Sequence, residues 1–254
     1  MDAVVVIPVW RPRLSDDETL SLRRCLSVLG RHPIALIAPD GLPTDQLPLS
    51  GAAVAIERFA PRFFEGIGGY NRLMLSAELY RRFEAYDYVL LHQLDAFVLE
   101  DRLTSWCARG YDYVGAPWVG PGWPPPEMSS FKRRLLRAVT RPATRVGNGG
   151  FSLRKVSRFL HALRTLRPIV ARWRSNEDLF WSVMARHLAG FRIPSASEAM
   201  SFSFELEPRW CYEQLGRTLP FGCHAWPRYD PEFWHSVFSG LGVEGVPRTS
   251  RLSR

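Results

Sequence analysis

The sequence is poor in lysine, in cysteine and in long apolar runs. Only Lys132 and Lys155 are lysines, so arginine supplies nearly all of the positive charge. No stretch approaches the roughly 20 apolar residues of a membrane-spanning helix, which argues against that class of protein. The four cysteines are far apart and form no CxxC pair, which argues against a structural zinc site. The opening residues MDAVVVIPVW lack the positive charge of a signal peptide, so we expect reduced thiols in a cytoplasmic protein.

The chain of 254 residues carries a formal net charge of +8, which favours an anionic partner. The basic stretch from residue 132 to residue 174 contains no acid. It lacks the alternating basic and aromatic residues of RNA-binding motifs, and we therefore predict that nucleic acid is not the partner. Residues 131–141 have the pattern of a basic amphipathic helix, which allows peripheral contact with an anionic membrane surface.

Apolar periodicity predicts an α/β fold. The order of segments is strand, helix, strand, strand, helix, strand, and this order is typical of a mostly parallel, Rossmann-like sheet flanked by helices. Ser15 and Glu18 form a capping-box pattern at the start of the first helix. We predict one domain over 1–245, with a nucleotide-binding half (1–103), an irregular acceptor-binding half (104–245) and a disordered basic tail (246–254).

A polar notch interrupts the apolar stretch VLLHQLDAFVLEDRL, which starts at Val89. Asp95 lies close to the end of the predicted strand, where ligands bind in open α/β sheets. Gln93 lies two residues earlier and therefore on the same side of an extended chain. Oxygen ligands in this arrangement suit a divalent cation. The alternative is that Asp95 only caps the following turn.

The segment VGNGGFSLRK, which starts at Val146, brackets Asn148 with three glycines. Its spacing matches neither a phosphate-binding P-loop nor a dinucleotide fingerprint. A tight turn before a strand would need only two glycines. Three glycines and an asparagine favour a loop that closely approaches a ligand, and this loop includes Gly149 and Gly150.

Two further segments carry titratable groups. SNEDLFWS places Glu177 and Asp178 in the first turn of a predicted helix, where one of them could act as a general base. The helix macrodipole favours acids there regardless of function, which is the alternative. PFGCHAW places His224 in an aromatic loop. This histidine is either a metal ligand or a buried, hydrogen-bonded side chain.

These motifs in this order resemble a bacterial and fungal domain family of uncharacterised function. The resemblance covers roughly residues 3–230 and rests on YNRLMLSAELYRRFEAYDYVLLHQLDAFVL, GYDYVGAPW, VGNGGFSLRKV, NEDLFWS and LPFGCHAW. That family is similar to nucleotide-sugar glycosyltransferases of the GT-A type. The resemblance implies a single GT-A-like domain.

The resemblance also implies a donor site. GT-A enzymes carry a DxD motif whose last acid binds Mn²⁺ or Mg²⁺ on the sugar nucleotide, and the matching triplet here is Gln93-Leu94-Asp95, without the first acid. A late histidine often completes such a site, which assigns the metal to Asp95 and His224. The expected nucleotide is UDP. The residues implied to bind it are Pro8, Val9, Asn71, Arg72, Gln93 and Asp95.

For the acceptor and the chemistry, the resemblance implies a further set of residues. Asp178 or Glu177 would be the base of an inverting reaction on a hydroxyl group. The acceptor would be a glycan, a lipid-linked sugar or a polysaccharide. The residues implied to contact it are Trp118, Asn148, Gly149, Gly150 and Trp226. The incomplete DxD also allows a module that binds glycans or nucleotides without catalysis.

Overall fold

The computed structural model describes residues 1–49, 51–121, 123–124, 129–131, 133–134 and 146–246. Most of the predicted basic helix at 131–141 and of the predicted tail at 246–254 lies outside the described residues. Within the described residues, no helix is both long enough and apolar enough to cross a membrane.

A six-stranded sheet forms the centre of the molecule, in the order β3-β2-β1-β4-β7-β6. Strands β1 to β4 are parallel, whereas β7 runs antiparallel to β4 and to β6. Because β6 and β7 come after residue 103, the sheet contains strands from both predicted parts of the domain. The strands are β1 (Ala3–Pro8), β2 (Ile34–Pro39), β3 (Val54–Phe59), β4 (Tyr88–His92), β6 (Tyr113–Val114) and β7 (Phe151–Lys155).

Apolar side chains on both faces of the sheet explain why its central strands are buried. In β1, Val5 and Ile7 pack into one core cluster, and Val4 and Val6 pack into the other. This alternation follows from the two-residue repeat of a strand that is covered on both faces. The expected α/β single domain with a mostly parallel sheet is therefore confirmed.

The first two helical regions show how far local signals decide structure. Helix α1 (Asp16–Leu29) begins with the predicted capping box between Ser15 and Glu18. One helix was expected between the third and fourth strands, and the structure divides it into two. The structure has α2 (Gly66–Met74) and α3 (Ala77–Arg82), because the side chain of Ser76 accepts a hydrogen bond from the backbone N–H of Leu79 and starts a new helix.

The remaining helices are α4 (Leu103–Ala108), α5 (Val156–Thr165), α6 (Arg167–Arg172), α7 (Glu177–Leu179), α8 (Ala196–Met200), α9 (Pro208–Gln214) and α10 (Pro231–Gly240). The predicted helix that begins with Glu177 and Asp178 is α-helical only over its first 3 residues. Helix α7 instead widens into a π-helical turn at Phe180–Met184 and tightens into a 3₁₀ turn at Ala185–His187. Asn176 occupies the N-cap position, but its side chain makes no capping hydrogen bond.

A second, three-stranded sheet brings distant segments together beside the end of β4. Its strands are β5 (Phe97–Val98), β9 (Gly222–Cys223) and β8 (Ser203–Phe204). The register pairs Phe97 with Cys223 and Phe204 with Cys223. The polar residues next to these pairs therefore meet, although Gln93 and His224, for example, are 131 positions apart in the sequence.

Candidate active site

His224 is the centre of the polar cluster that this small sheet assembles. Its Nε2 atom lies 3.0 Å from Oε1 of Gln93 and 3.2 Å from Oδ1 of Asp95. Both oxygens reach the same nitrogen, but not through the expected extended chain. Leu94 and Asp95 form a turn that is closed by a hydrogen bond from the N–H of Ala96 to the carbonyl of Gln93. The ring is buried, whereas the side chain of Asp95 is 46% exposed. The cluster therefore opens to solvent through Asp95.

Glu205 holds the other side of the His224 ring, and the sequence interpretation missed it. Nδ1 of His224 donates to Oε1 of Glu205 at 3.2 Å, and Nδ2 of Asn148 donates to the same oxygen at 2.7 Å. A carboxylate on the far nitrogen fixes the orientation of the imidazole. The signal for Glu205 was an acid directly after an apolar strand segment, SFSFE, which parallels the position of Asp95 after β4.

The charges in this cluster depend on one another. Burial alone would lower the pKa of His224, but the carboxylates of Asp95 and Glu205 raise it to about 10. Burial alone would raise the pKa of Asp95, but His224 lowers it below its ordinary value. The cluster thus holds a proton on Nε2 between two oxygen acceptors.

Oxygen and nitrogen donors that converge in this way fit a divalent cation as part of a site. A cation at that position would take the place of the proton on Nε2, with oxygens of Gln93 and Asp95 beside it. Within the ranges that the structure describes, no three His, Cys, Asp or Glu side chains are placed to hold a metal ion by themselves. The remaining ligands would have to come from a bound substrate.

The glycine-rich loop packs directly against this cluster. The side-chain oxygen of Asn148 accepts from the backbone N–H of Gly150 at 2.9 Å, and the carbonyl of Gly150 accepts from the N–H of Gln93 at 2.8 Å. A Cβ atom on Gly150 would lie 1.9 Å from Nε2 of His224. A Cβ atom on Gly149 would lie 2.0 Å from Oε1 of Glu177. The glycines are therefore required for space, and Asn148 is buried with its amide engaged.

Glu177 belongs to a buried ion pair beneath this loop. Its Oε1 accepts from Nη2 of Arg154 at 2.8 Å, and both side chains are almost fully buried. The guanidinium also donates to the carbonyl of Gly149 and to the hydroxyl of Tyr80. The other carboxylate oxygen, Oε2, is buried and has no hydrogen-bond partner among the described residues. Of the two expected bases, Glu177 is thus paired with Arg154 through Oε1.

Asp178 is in a different electrostatic position. Burial, together with the negative charge of Glu177, raises the pKa of Asp178 to about 8. Its Oδ1 accepts from the backbone N–H of Leu179 at 2.7 Å. A carboxyl group that titrates near neutral pH can both take up and release a proton under physiological conditions. Of the two adjacent acids, Asp178 is the one whose raised pKa suits acid–base chemistry.

A cavity of about 510 Å³ opens beside Asp95 at the carboxyl ends of β1 and β4. Of the residues expected to bind a donor, this cavity brings together Pro8, Gln93 and Asp95. It also contains residues that the sequence interpretation did not include. They are Trp10, Glu18, Phe63, Phe64, Gly66, Ile67 and Tyr70.

Three other expected donor residues are placed differently. Val9 is fully buried in the core, so its side chain cannot reach a ligand. Arg72 is exposed, donates to the carbonyl of Arg62 and lines a different cavity. Asn71 accepts from the backbone N–H of Glu177 at 3.2 Å and lines that same second cavity. Asn71 therefore holds the backbone at Glu177 and does not line the cavity beside Asp95.

The expected stacking of sugars on two tryptophans is corrected by the structure. Trp226 is fully buried, and its indole N–H donates to the hydroxyl of Ser21 at 3.0 Å. Trp118 is buried and stacks on Trp123 with ring centroids 5.6 Å apart. Both rings pack against protein, which is the commoner use of tryptophan.

Comparison with protein families gives one match. Residues 53–224 match the model of a family described as "Protein of unknown function (DUF5672)". This range covers more than half of the chain and includes the cluster from Gln93 to His224. No curated protein matches the sequence.

Comparison with solved structures shows a shared fold. An active-site mutant of LgtC superimposes with a TM-score of 0.59 at 11% identity, covering 94% of this chain and 95% of LgtC. The galactosyltransferase LgtC with donor and acceptor sugar analogues gives a TM-score of 0.53 at 13% identity, covering 96% of this chain and 98% of LgtC. Mouse xyloside xylosyltransferase 1 gives 0.53 at 11% identity, covering 88% and 97%. The fold is thus that of GT-A glycosyltransferases.

Proposed function

We propose that the chain, which belongs to the DUF5672 family, is a glycosyltransferase that moves a sugar from a nucleotide-diphosphate sugar to a hydroxyl acceptor. One observation carries this proposal: Asp95, Gln93 and His224 converge beside an open cavity at the carboxyl ends of β1 and β4. Ligands bind at this edge in open α/β sheets. The shared fold with known glycosyltransferases supports the proposal.

The cavity beside Asp95 is the proposed donor pocket. Its aromatic wall, which includes Trp10, Phe63 and Tyr70, would contact the nucleoside, and Pro8 would contact it at the end of β1. Gln93 and Asp95 lie at the polar end of the pocket, where the diphosphate would bind. We keep UDP as the proposed nucleotide.

Asp95 and His224, with the amide oxygen of Gln93, would hold Mn²⁺ or Mg²⁺ together with the donor. When bound, such a cation would neutralise the negative charge that develops on the departing nucleoside diphosphate. Glu205 keeps the His224 ring in a fixed orientation through Nδ1. Asn148 keeps Glu205 in place by donating to the same oxygen.

Asp178 is the proposed base. With a pKa of about 8, its carboxylate can accept the proton of the acceptor hydroxyl as that oxygen attacks the anomeric carbon. Glu177 raises this pKa by its charge and remains paired with Arg154. Attack assisted by a base opposite the leaving group gives inversion at the anomeric carbon, which NMR of the product would test.

The thermal stability of the purified chain with a panel of nucleotide-diphosphate sugars tests the proposed function. We expect one donor class to raise the melting temperature in the presence of Mn²⁺, and EDTA to remove that increase. An increase that survives EDTA would remove the metal from the proposal. No shift with any donor would contradict the proposed function.

A second function, a module that binds glycans or nucleotides without catalysis, rests on a specific observation. Gln93 stands where a DxD motif has its first acid. In the structure, both ring nitrogens of His224 are engaged, with Gln93, Asp95 and Glu205. A donor that stabilises the chain but is neither transferred nor hydrolysed would favour this second function. Release of the nucleotide diphosphate would exclude it.

A further inference from the structure

Two neighbouring cavities form one groove on the outside of the helical layer. Their volumes are about 720 Å³ and about 530 Å³, and both are lined by Leu75 and Val170. Helices α2, α3, α5 and α6 provide the walls, and the groove extends to Ser175. We call this concave surface the arginine groove, after the five arginines that line it. They are Arg72, Arg81, Arg164, Arg167 and Arg174.

The residues that line the arginine groove carry far more positive than negative charge. Glu84 is the one acid among the residues that line the two cavities. Within the part of the chain that the structure describes, none of the five guanidinium groups forms an ion pair. Like charges gathered in a concave surface attract anions strongly, because the low-dielectric walls focus their field. The planar fork of arginine also matches the two oxygens of a carboxylate.

An aromatic ring held in one orientation lies in the same groove. Trp173 lines the groove and is partly exposed. Its indole N–H donates to the carbonyl of Asn176 at 2.9 Å, and its ring meets the edge of Phe180 with centroids 5.5 Å apart. A fixed and partly exposed indole offers a flat apolar surface that a sugar ring can cover.

One end of the arginine groove lies beside the candidate active site. Asn71 lines the groove, and its side chain accepts from the backbone N–H of Glu177 at 3.2 Å. Ser175, also in the wall, precedes Glu177 by two residues. The groove therefore ends at the backbone of the segment that carries Glu177.

We propose that the arginine groove binds an acidic glycan, the acceptor chain, with its carboxylates on the arginines and one sugar ring on Trp173. This inference deepens the proposed function and rests on it for the word acceptor. A concave groove with an aromatic platform suits an extended glycan better than a flat membrane surface. A single aromatic residue among five arginines gives no succession of stacking platforms for bases, which argues against a nucleic acid.

The binding of a fluorescently labelled galacturonic acid hexamer to the full chain, without donor, tests the proposal by anisotropy. Unlabelled maltohexaose is the neutral competitor of equal length. Arg164→Glu reverses one charge in the groove, and Arg23→Glu is the matched control, because Arg23 is an exposed helical arginine in α1. We expect Arg164→Glu to weaken binding about tenfold, since each lost or repelled ion pair adds to the change. We expect Arg23→Glu to leave binding unchanged.

Four results would overturn the proposal. The first is absent binding of the acidic hexamer, and the second is equal competition by maltohexaose. The third is an equal loss of binding in Arg164→Glu and Arg23→Glu. The fourth is tighter binding of a labelled DNA hexanucleotide than of the acidic hexamer. Because the assay contains no donor, its outcome is independent of turnover. If the chain binds the hexamer but never releases nucleotide from a donor, the proposed function is contradicted and the groove proposal stands. If the chain releases nucleotide but does not bind the hexamer, the groove proposal is contradicted and the proposed function stands.

Discussion

Oε1 of Glu205 lies 3.2 Å from Nδ1 of His224, on the side of the imidazole ring opposite to Asp95. Glu205 is not among the residues that line the cavity beside Asp95, and its contact is with the other side of the His224 ring. A carboxylate in this position is expected to determine how well Nε2 can serve as a ligand. The pairing of β8 with β9 creates this contact.

Glu205→Gln should weaken binding of donor with Mn²⁺ by about 10-fold to 100-fold, because the orienting charge behind His224 is lost. Titration of the donor at fixed Mn²⁺, followed by the melting temperature, measures this change. Glu78→Gln, at an exposed helical position in α3, is the control. Unchanged donor affinity in Glu205→Gln would remove Glu205 from the site.

Asp95→Asn should abolish sugar transfer and leave the fold intact, because its half-exposed side chain contributes little to packing. Removing a charged group of this kind costs about 100-fold or more in turnover. Release of nucleotide diphosphate measures activity, and circular dichroism checks the fold. Asp45→Asn, in an exposed loop, should keep full activity. Normal turnover in Asp95→Asn would refute its role.

Gly150→Ala should disrupt the His224 cluster, because the new Cβ would lie 1.9 Å from Nε2 of His224. We expect donor-dependent stabilisation to disappear and the free energy of unfolding to fall by about 1–3 kcal/mol, as for overpacking in a core. Gly240→Ala is the control, since a Cβ there meets no atom within 4 Å. Urea unfolding with and without donor separates the two effects. Equal behaviour of the two variants would contradict the tight packing.

Asp178→Asn should change how stability depends on pH. The folded pKa of Asp178 is raised to about 8 from its ordinary value of 3.8, by burial and by Glu177. The folded state therefore holds a proton that the unfolded state releases, and stability falls as the pH rises from about 4 to about 8. Asparagine has no such loss, so the variant should melt increasingly above the natural chain over this range. Parallel melting curves at all pH values would contradict the raised pKa.

In the same variant, turnover should fall by about 100-fold to 10,000-fold, the usual contribution of a general base. The natural chain should gain activity as the pH rises through about 8, where Asp178 loses its proton. Steady-state rates from neutral to alkaline pH measure this profile. A variant that retains the alkaline increase would assign the base to another group.

Arg154→Met should lower the free energy of unfolding by about 3–5 kcal/mol, because it leaves Glu177 buried without its partner. The double variant Arg154→Met with Glu177→Gln should recover part of this loss, since it buries no unpaired charge. Urea unfolding of the single and double variants forms the comparison. A double variant that is less stable than Arg154→Met would show that the pair is not the source of the loss.

Residues close in sequence determined much that was predicted. The capping box of α1 and the buried alternation of β1 both follow from contacts within a few residues. The glycines around Asn148 predicted a loop that closely approaches a ligand, whereas the structure places the side chains of His224 and Glu177 against Gly150 and Gly149. The capping box and the strand alternation depend on local backbone geometry, which the sequence specifies directly.

Only the tertiary structure decided which distant side chains meet. The pairing of β5, β9 and β8 placed Asp95, His224 and Glu205 together, and long-range packing buried Trp226 in the core. Arg154 and Glu177, which are 23 positions apart, became a buried pair in the same way. The family resemblance had implied that Asp95 and His224 share a site. Local patterns could not specify Glu205, the burial of Trp226 or the Arg154–Glu177 pair, because burial and partner choice depend on how all elements pack. A local pattern contains no information about the distant surface that will cover it.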